Sequence, residues 1–307
     1  MDIVTLLVGF SIGLVLLVKG ADEMVSSAVQ IALKFKLPSS IIGATFIGFG
    51  TSAPELFAST GAALKGDLDL GIGNIVGSNI ANSLLVVAVL YLALPKDFSQ
   101  KIKLNQISPV WMAIFSTIFV STYVLTNEFP FLLGAVLLIL VIYVIYKMIS
   151  TESVDEGELL GEEKNYIWLR GGLSLLATLY GSQLVVDNAV AIAELFGVSS
   201  LIIGSTIIAI GTSLPEIAGT ISAAKIRKPD IVFGNIFGSN LFNIGLVGAT
   251  AIMISPGEIG SVIDYQLFIM YFVSFIVIFL SRNVIKRNPL LGYLFIVAYI
   301  LFLVSLF

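Results

Sequence analysis

The 307-residue sequence contains no cysteine and no histidine, and only 12% of its residues are charged. Without cysteine there are no disulfides and no thiolate nucleophiles, and without either residue the usual zinc sites are ruled out. Chemistry must come from carboxylates, hydroxyls, amides and backbone carbonyls. Such hard oxygen donors suit Na+, Ca2+ or Mg2+ better than soft transition metals. The shortage of charge is equally restrictive, since a soluble domain carries roughly 25% charged residues. The net charge of −4 says little, because six acids sit between Glu152 and Glu163, and no basic tract suggests nucleic acid.

What is present is apolar: 57% of residues are hydrophobic and the mean hydropathy is +1.03. Runs of about 20 residues, long enough to cross a hydrocarbon core, recur along the chain. Polar breaks divide them into about ten expected helices: 3–33, 39–64, 71–94, 107–125, 130–148, 167–196, 200–224, 231–253, 263–281 and 289–306. Helices satisfy their own backbone groups in lipid, so we expect an all-α integral membrane protein with the bilayer as its solvent. The first run follows Met-Asp rather than a positive segment and is expected to be retained. The acidic stretch 150–166 is expected to be a cytoplasmic linker between two five-helix groups, 1–149 and 167–307. It reads as solvated, with a weak regulatory cation site as the alternative.

The two groups repeat one another. SSIIGATFIGFGTSAPE at 39–55 lies over SLIIGSTIIAIGTSLPE at 200–216 with 11 of 17 positions identical, and GIGNIVGSNIAN at 71–82 lies over VFGNIFGSNLFN at 232–243 with 7 of 12 identical. Both pairs share one offset, n to n+161, which apolar composition alone does not produce. An odd number of helices per repeat turns the second upside down. Basic residues test this: placing the N-terminus outside puts 14 of the 16 in inner breaks, leaving Lys65 outside and Lys19 within the first helix. Both termini are therefore expected outside.

Thr51, Ser52 and Glu55 lie at i, i+1 and i+4, so one helix face offers hydroxyls a turn before a carboxylate. Thr212, Ser213 and Glu216 repeat the pattern. Pro54 and Pro215 remove a backbone donor in between, and Gly50 and Gly211 make the turn pliable, so broken helices with freed carbonyls are expected. Asn74, Ser78 and Asn82, with Asn235, Ser239 and Asn243, recur every four residues. These stripes serve either as ligands or as hydrogen bonds between helices, beside Gly73, Gly77, Gly234 and Gly238 as close-packing devices. Six to eight oxygens suit Ca2+, and Na+ can reuse them. A single buried glutamate could simply be protonated, but two at repeat-related positions argue for an ion site. Lys19 and Glu23 can pair at i, i+4; with Asp22 they read as a structural pair or a pathway mouth. Asp187 and Glu194 lack acidic counterparts at Ser26 and Leu33.

At these motifs the chain resembles the cation/Ca2+ exchanger superfamily, whose two α-repeats carry GTSxPE and GNxxGSN, and most closely the prokaryotic Na+/Ca2+ exchangers. The resemblance implies Ca2+ held by Glu55, Glu216 and the backbone carbonyls of Thr51 and Thr212. It implies Na+ sites that add Gly48, Ser52, Ser78, Ala209, Ser213 and Ser239. It further implies three Na+ per Ca2+, and alternating access by sliding of the first and sixth helices. Proton-coupled members look like GNxxE where this chain has GTSAPE and GTSLPE, which argues for Na+ coupling. Potassium-dependent relatives carry Asp at the position of Asn243, so two neutral amides, Asn82 and Asn243, argue against K+ dependence. The short loop after 149 leaves no room for a large regulatory domain. Transported Na+ and Ca2+, no cofactor, no obligate protein partner and no enzymatic activity are the corresponding expectations. A Ca2+/H+ antiporter on the same fold is the alternative, and an intramembrane hydrolase a weaker one, since no histidine is present.

Overall fold

The computed structural model describes residues 3–101, 107–151, 166–198, 209–260 and 264–306. We number its helices α1 (Ile3–Phe35), α2 (Ser39–Thr51), α3 (Ala53–Leu64), α4 (Leu68–Ala93), α5 (Ile107–Thr126), α6 (Phe131–Thr151), α7 (Ile167–Leu195), α8 (Ala209–Gly211), α9 (Leu214–Lys225), α10 (Pro229–Ile254), α11 (Asp264–Ser281) and α12 (Pro289–Val304). Among the described residues seven helices are long and apolar enough to span a bilayer, and the bent pair α2–α3 is an eighth candidate. The expected ten are not reached. α12 has 16 residues, two fewer than the 289–306 run, and the expected helix 200–224 is described only from Ala209 onward. The linker residues 152–165 and the GSTII segment lie outside the described residues.

Proline produces the break between α2 and α3. Pro54 cannot donate to a carbonyl one turn earlier, the chain leaves helical geometry at Ser52 (φ −82°, ψ 0°), and α3 starts again at Ala53 with a 44° bend. Pro215 has the same effect after Ser213 (φ −94°, ψ 3°), where α9 begins. Wide π turns occur at Gly43–Ile47 in α2, at Asn82–Val86 in α4 and at Asn243–Gly248 in α10. The last two begin at positions one repeat offset apart. Single π turns inside α-helices cluster at functional sites.

Small residues set the packing, as expected where lipid gives helices no hydrophobic reason to associate. α1 and α7 lie along each other with crossings related by the repeat offset. A Cβ on Gly20 would come 2.8 Å from the Thr178 nitrogen, and one on Gly181 would strike the Leu17 nitrogen. The outward faces of this pair, including Val8, Ile12, Leu173 and Leu176, are exposed and apolar, as lipid contact requires. α4 and α10 form the buried centre, with Ile72, Ile75, Ile80, Phe233, Ile236 and Phe237 all at 1% exposure or less. Gly234 and Gly238 sit against the backbone of Ser40 and Ala44 in α2, as the packing reading of those glycines expects. Gly73 and Gly77 instead meet nothing within 4 Å among the described residues and line a cavity.

Two short antiparallel ribbons join the connections. β1 (Ser99–Lys101) pairs with β4 (Val284–Lys286), and β2 (Glu128–Phe129) pairs with β3 (Gly257–Glu258). Near the first ribbon Arg227 bonds Asp97 at 2.6 Å. Past the middle of α1 the expected Lys19–Glu23 pairing gives way to contacts across helices. Glu23 accepts from Arg170 of α7, and Asp22 accepts from Ser222 of α9 with Lys225 at 3.8 Å. A guanidinium reaching from the packed α7 presents two donors in a fixed fork, which a lysine on the same helix cannot match.

Candidate ion-binding site

Glu55 stands in the first turn of α3 and Glu216 in the first turn of α9, each just after the proline break. Both point inward, with 4% and 3% of their surface exposed. A helix N-terminus carries partial positive charge and favours a carboxylate there, so the breaks supply a fold-level reason for acids at these positions. Ser78 of α4 donates to Glu55 Oε1 at 3.1 Å. The Thr51 hydroxyl and the Glu55 carboxyl both lie close enough to Glu216 to interact with it. Thr51 Oγ1 also lies 3.4 Å from Ser239 Oγ, whose one proton is shared between the Gly48 carbonyl and Asn235 Oδ1, both at 3.3 Å. α2, α3, α4, α9 and α10 thus meet around two carboxylates.

The balance of donors and acceptors sets the chemistry. Glu55 Oε2, Glu216 Oε2 and Ser52 Oγ are buried with no hydrogen-bond partner among the described residues. Burying a charge without a partner costs several kcal/mol, far more than a hydrogen bond returns. A cation between the acids would remove that cost, and the hydroxyls and the Gly48 carbonyl could provide further oxygens. Two cavities meet at Thr212. One, of about 350 Å3, is lined by Gly73, Asn74, Gly77, Ser78 and Gln266; the other, of about 420 Å3, by Pro54, Ser182, Asp187, Glu194 and Gly211.

Of the expected site residues, Glu55, Glu216, Thr51, Ser78, Ser239 and Gly48 come together, and Ser52 and Ser213 lie buried at the two breaks. Thr212 lines both cavities. Ala209 starts a short helical turn, and its side chain lies outside the described set. Asn82 and Asn243 bond to two other amides instead of the acids: Asn82 Nδ2 donates to Asn240 Oδ1 at 3.1 Å, and Asn243 Nδ2 to Asn79 Oδ1 at 3.0 Å. Asn74 lines the same cavity as Ser78 and donates to Ser59 of α3 at 3.0 Å, one of the interhelical hydrogen bonds expected as the alternative role of the stripe. Asn79 and Asn240 were missed by sequence reasoning based on i, i+4 stripes. The signal was their own recurrence at the repeat offset within GSN.

Comparison with known proteins places the chain in a family. Residues 5–151 and 166–307 match the family described as sodium/calcium exchanger protein. The inner membrane protein YrbG of Escherichia coli is 32% identical, over 89% of this chain and 88% of its own. The sodium/calcium exchanger MaX1 of Methanosarcina acetivorans is 31% identical, over 96% of this chain and 97% of its own. Among solved structures, the sodium–calcium exchanger NCX_Mj soaked without Na+ and Ca2+ superposes with a TM-score of 0.83 at 28% identity, all of each chain covered. With its apolar helices and this match over both halves, the chain is an integral membrane protein belonging to the sodium/calcium exchanger protein family.

Proposed function

We propose that the protein is a secondary antiporter exchanging Na+ for Ca2+ through one site shared by Glu55 and Glu216. The observation carrying this reading is the pair of buried carboxylates on repeat-related broken helices, each with one oxygen lacking a partner among the described residues. Two carboxylates balance one Ca2+. Three Na+, the number the family resemblance implies, leave one positive charge, so exchange is electrogenic and both ions compete for the same anions. No catalytic role is assigned to any residue.

The same reading takes the chain as ten spans in two inverted five-helix repeats, with both termini outside a prokaryotic cell membrane. The ribbons support the inversion. β1 precedes α5 and β2 follows it, so the ribbons lie at opposite ends of that helix. The α4–α5 connection pairs with the α11–α12 connection, and the α5–α6 connection with the α10–α11 connection. Equivalent connections of the two repeats therefore lie at opposite ends. Lys101 and Lys286 form part of one ribbon, with Lys96 and Arg287 beside it, and Glu128 and Glu258 form part of the other, which supports a cytoplasmic first ribbon. Alternating access then comes from movement of the α1–α7 pair against the rest.

Purified protein in proteoliposomes tests the function. Ca2+ should accumulate under an outward Na+ gradient, more strongly when the inside is held positive because one net positive charge leaves per cycle, and not under Li+ or K+ gradients. Glu55→Gln and Glu216→Gln should each abolish it. Robust Na+-driven uptake by either variant sinks the shared-site reading, and uptake driven by a pH gradient and indifferent to Na+ favours Ca2+/H+ exchange.

A further inference from the structure

At the crossing of α4 and α10, four asparagines are all buried to 2% exposure or less: Asn79, Asn82, Asn240 and Asn243. Their hydrogen bonds repeat under exchange of n and n+161. Asn79 Nδ2 donates to the Asn240 backbone carbonyl at 3.3 Å, and Asn240 Nδ2 to the Asn79 backbone carbonyl at 3.5 Å. Each side-chain oxygen then accepts from the other amide pair, Asn79 Oδ1 from Asn243 and Asn240 Oδ1 from Asn82.

This pattern dictates which way each amide faces. An asparagine can exchange its O and N ends by a flip, and only its partners decide between them. A backbone carbonyl accepts and never donates, so Asn79 and Asn240 must turn their nitrogens to it. The other neighbours of those nitrogens are acceptors too: Met270 Sδ for Asn79, and Ser83 Oγ and Met112 Sδ for Asn240. The oxygens of Asn79 and Asn240 are consequently committed to Asn243 and Asn82, which must answer with nitrogen. That leaves the carbonyl oxygens of Asn82 and Asn243 on the side away from this clamp. Asn243 Oδ1 is buried there with no partner among the described residues. Asn82 and Asn243 stand one turn beyond Ser78 and Ser239, which bond Glu55 and Thr51.

We propose that Asn79 and Asn240 are positioning residues for exchange: each locks the amide of the opposite repeat so that Asn82 and Asn243 offer oxygen, never N–H, to the transported cations. The proposal rests on the shared-site reading above. Without the lock, a flipped amide would aim two partly positive hydrogens at the ions and repel them.

The test is a set of double-mutant cycles in proteoliposomes, reading half-saturating Ca2+ and Na+ for uptake. Asn79→Leu should raise the half-saturating concentrations about tenfold, equivalent to about 1.4 kcal/mol. A carboxylate presents oxygen whichever way it turns and has no N–H for Asn79 Oδ1, so in the Asn243→Asp background the same change should cost nothing or relieve a repulsion, whereas in the Asn82→Asp background the tenfold loss should persist. Asn240→Leu should show the mirrored dependence on Asn82. A loss of equal size in both backgrounds, or no loss at all, overturns the proposal, because a purely structural role does not distinguish position 243 from position 82. If Asn79→Leu does not yield monodisperse protein, Asn79→Ser goes through the same cycle. Ca2+-induced melting shifts of the detergent-solubilised variants give a second readout independent of transport. Wild-type protein lacking Na+-driven uptake defeats the exchange reading, while active wild type without diagonal coupling defeats this inference alone.

Discussion

Gly238→Ala places a methyl group where the structure has none to spare. The new Cβ would lie 2.7 Å from the carbonyl carbon of Ala44 and closer still to its Cα and oxygen. Carbon atoms rest about 3.5 Å apart, so α2 and α10 must separate by about 1 Å. Backbone cannot rotate aside as a long side chain can, so the cost belongs near the upper end of the overpacking range, about 3 kcal/mol. The displacement also reaches the site. Ser239 donates to the Gly48 carbonyl at 3.3 Å, and a further ~1 Å takes that contact beyond hydrogen-bond range. Melting of the detergent-solubilised protein should fall clearly, and half-saturating Ca2+ should rise about fivefold from the lost bond. Gly61→Ala, whose Cβ meets nothing within 4 Å among the described residues, is the control and should leave both unchanged. A Gly238→Ala variant with wild-type melting and wild-type Ca2+ dependence would refute the close-packing argument.

Thr51→Val keeps the shape of a fully buried residue while removing the hydroxyl that serves Glu216 and Ser239; a loss of about 2 kcal/mol, roughly thirtyfold in half-saturating Ca2+, should appear in flux titrations. Tyr123→Phe removes the hydroxyl donated to Asp264 between α5 and α11, and should lower the melting temperature by the equivalent of about 1–2 kcal/mol without changing ion selectivity. The Arg227 guanidinium beside Asp97 holds that carboxyl below its ordinary range. Its stabilisation is therefore present at neutral pH and is lost as pH falls through the lowered value, so the melting difference between wild type and Asp97→Asn should shrink on acidification and in high salt.

Much of this was legible because proline and glycine act locally. Pro54 and Pro215 announce the two helix breaks from sequence alone, and the n+161 offset singles out the acids behind them. What escaped detection depends on geometry that composition does not encode. A stripe drawn at every fourth residue cannot anticipate that Asn74 bonds Ser59 or that Asn79 joins Asn243, because those partners come from other helices. Glu23 illustrates the same limit. Its i−4 lysine was visible in the sequence, whereas Arg170, which makes the ion pair, arrives from a helix about 150 residues away. The glycines show it from the other side, since Gly234 and Gly238 meet backbone and Gly73 and Gly77 line a cavity, although their sequence contexts are nearly identical.

The two ribbons act like seams sewn at opposite mouths of the bundle. Each stitches a connection from the first half of the chain to one from the second by backbone hydrogen bonds, which tolerate little slippage because a slip of one residue turns every side chain over. Neither seam includes a connection from α1 or α7. On the proposed exchange reading, the α1–α7 pair is left free of both seams, so an artificial cross-link from α1 to α9, which pack together, should jam turnover where one from β1 to β4 leaves it running.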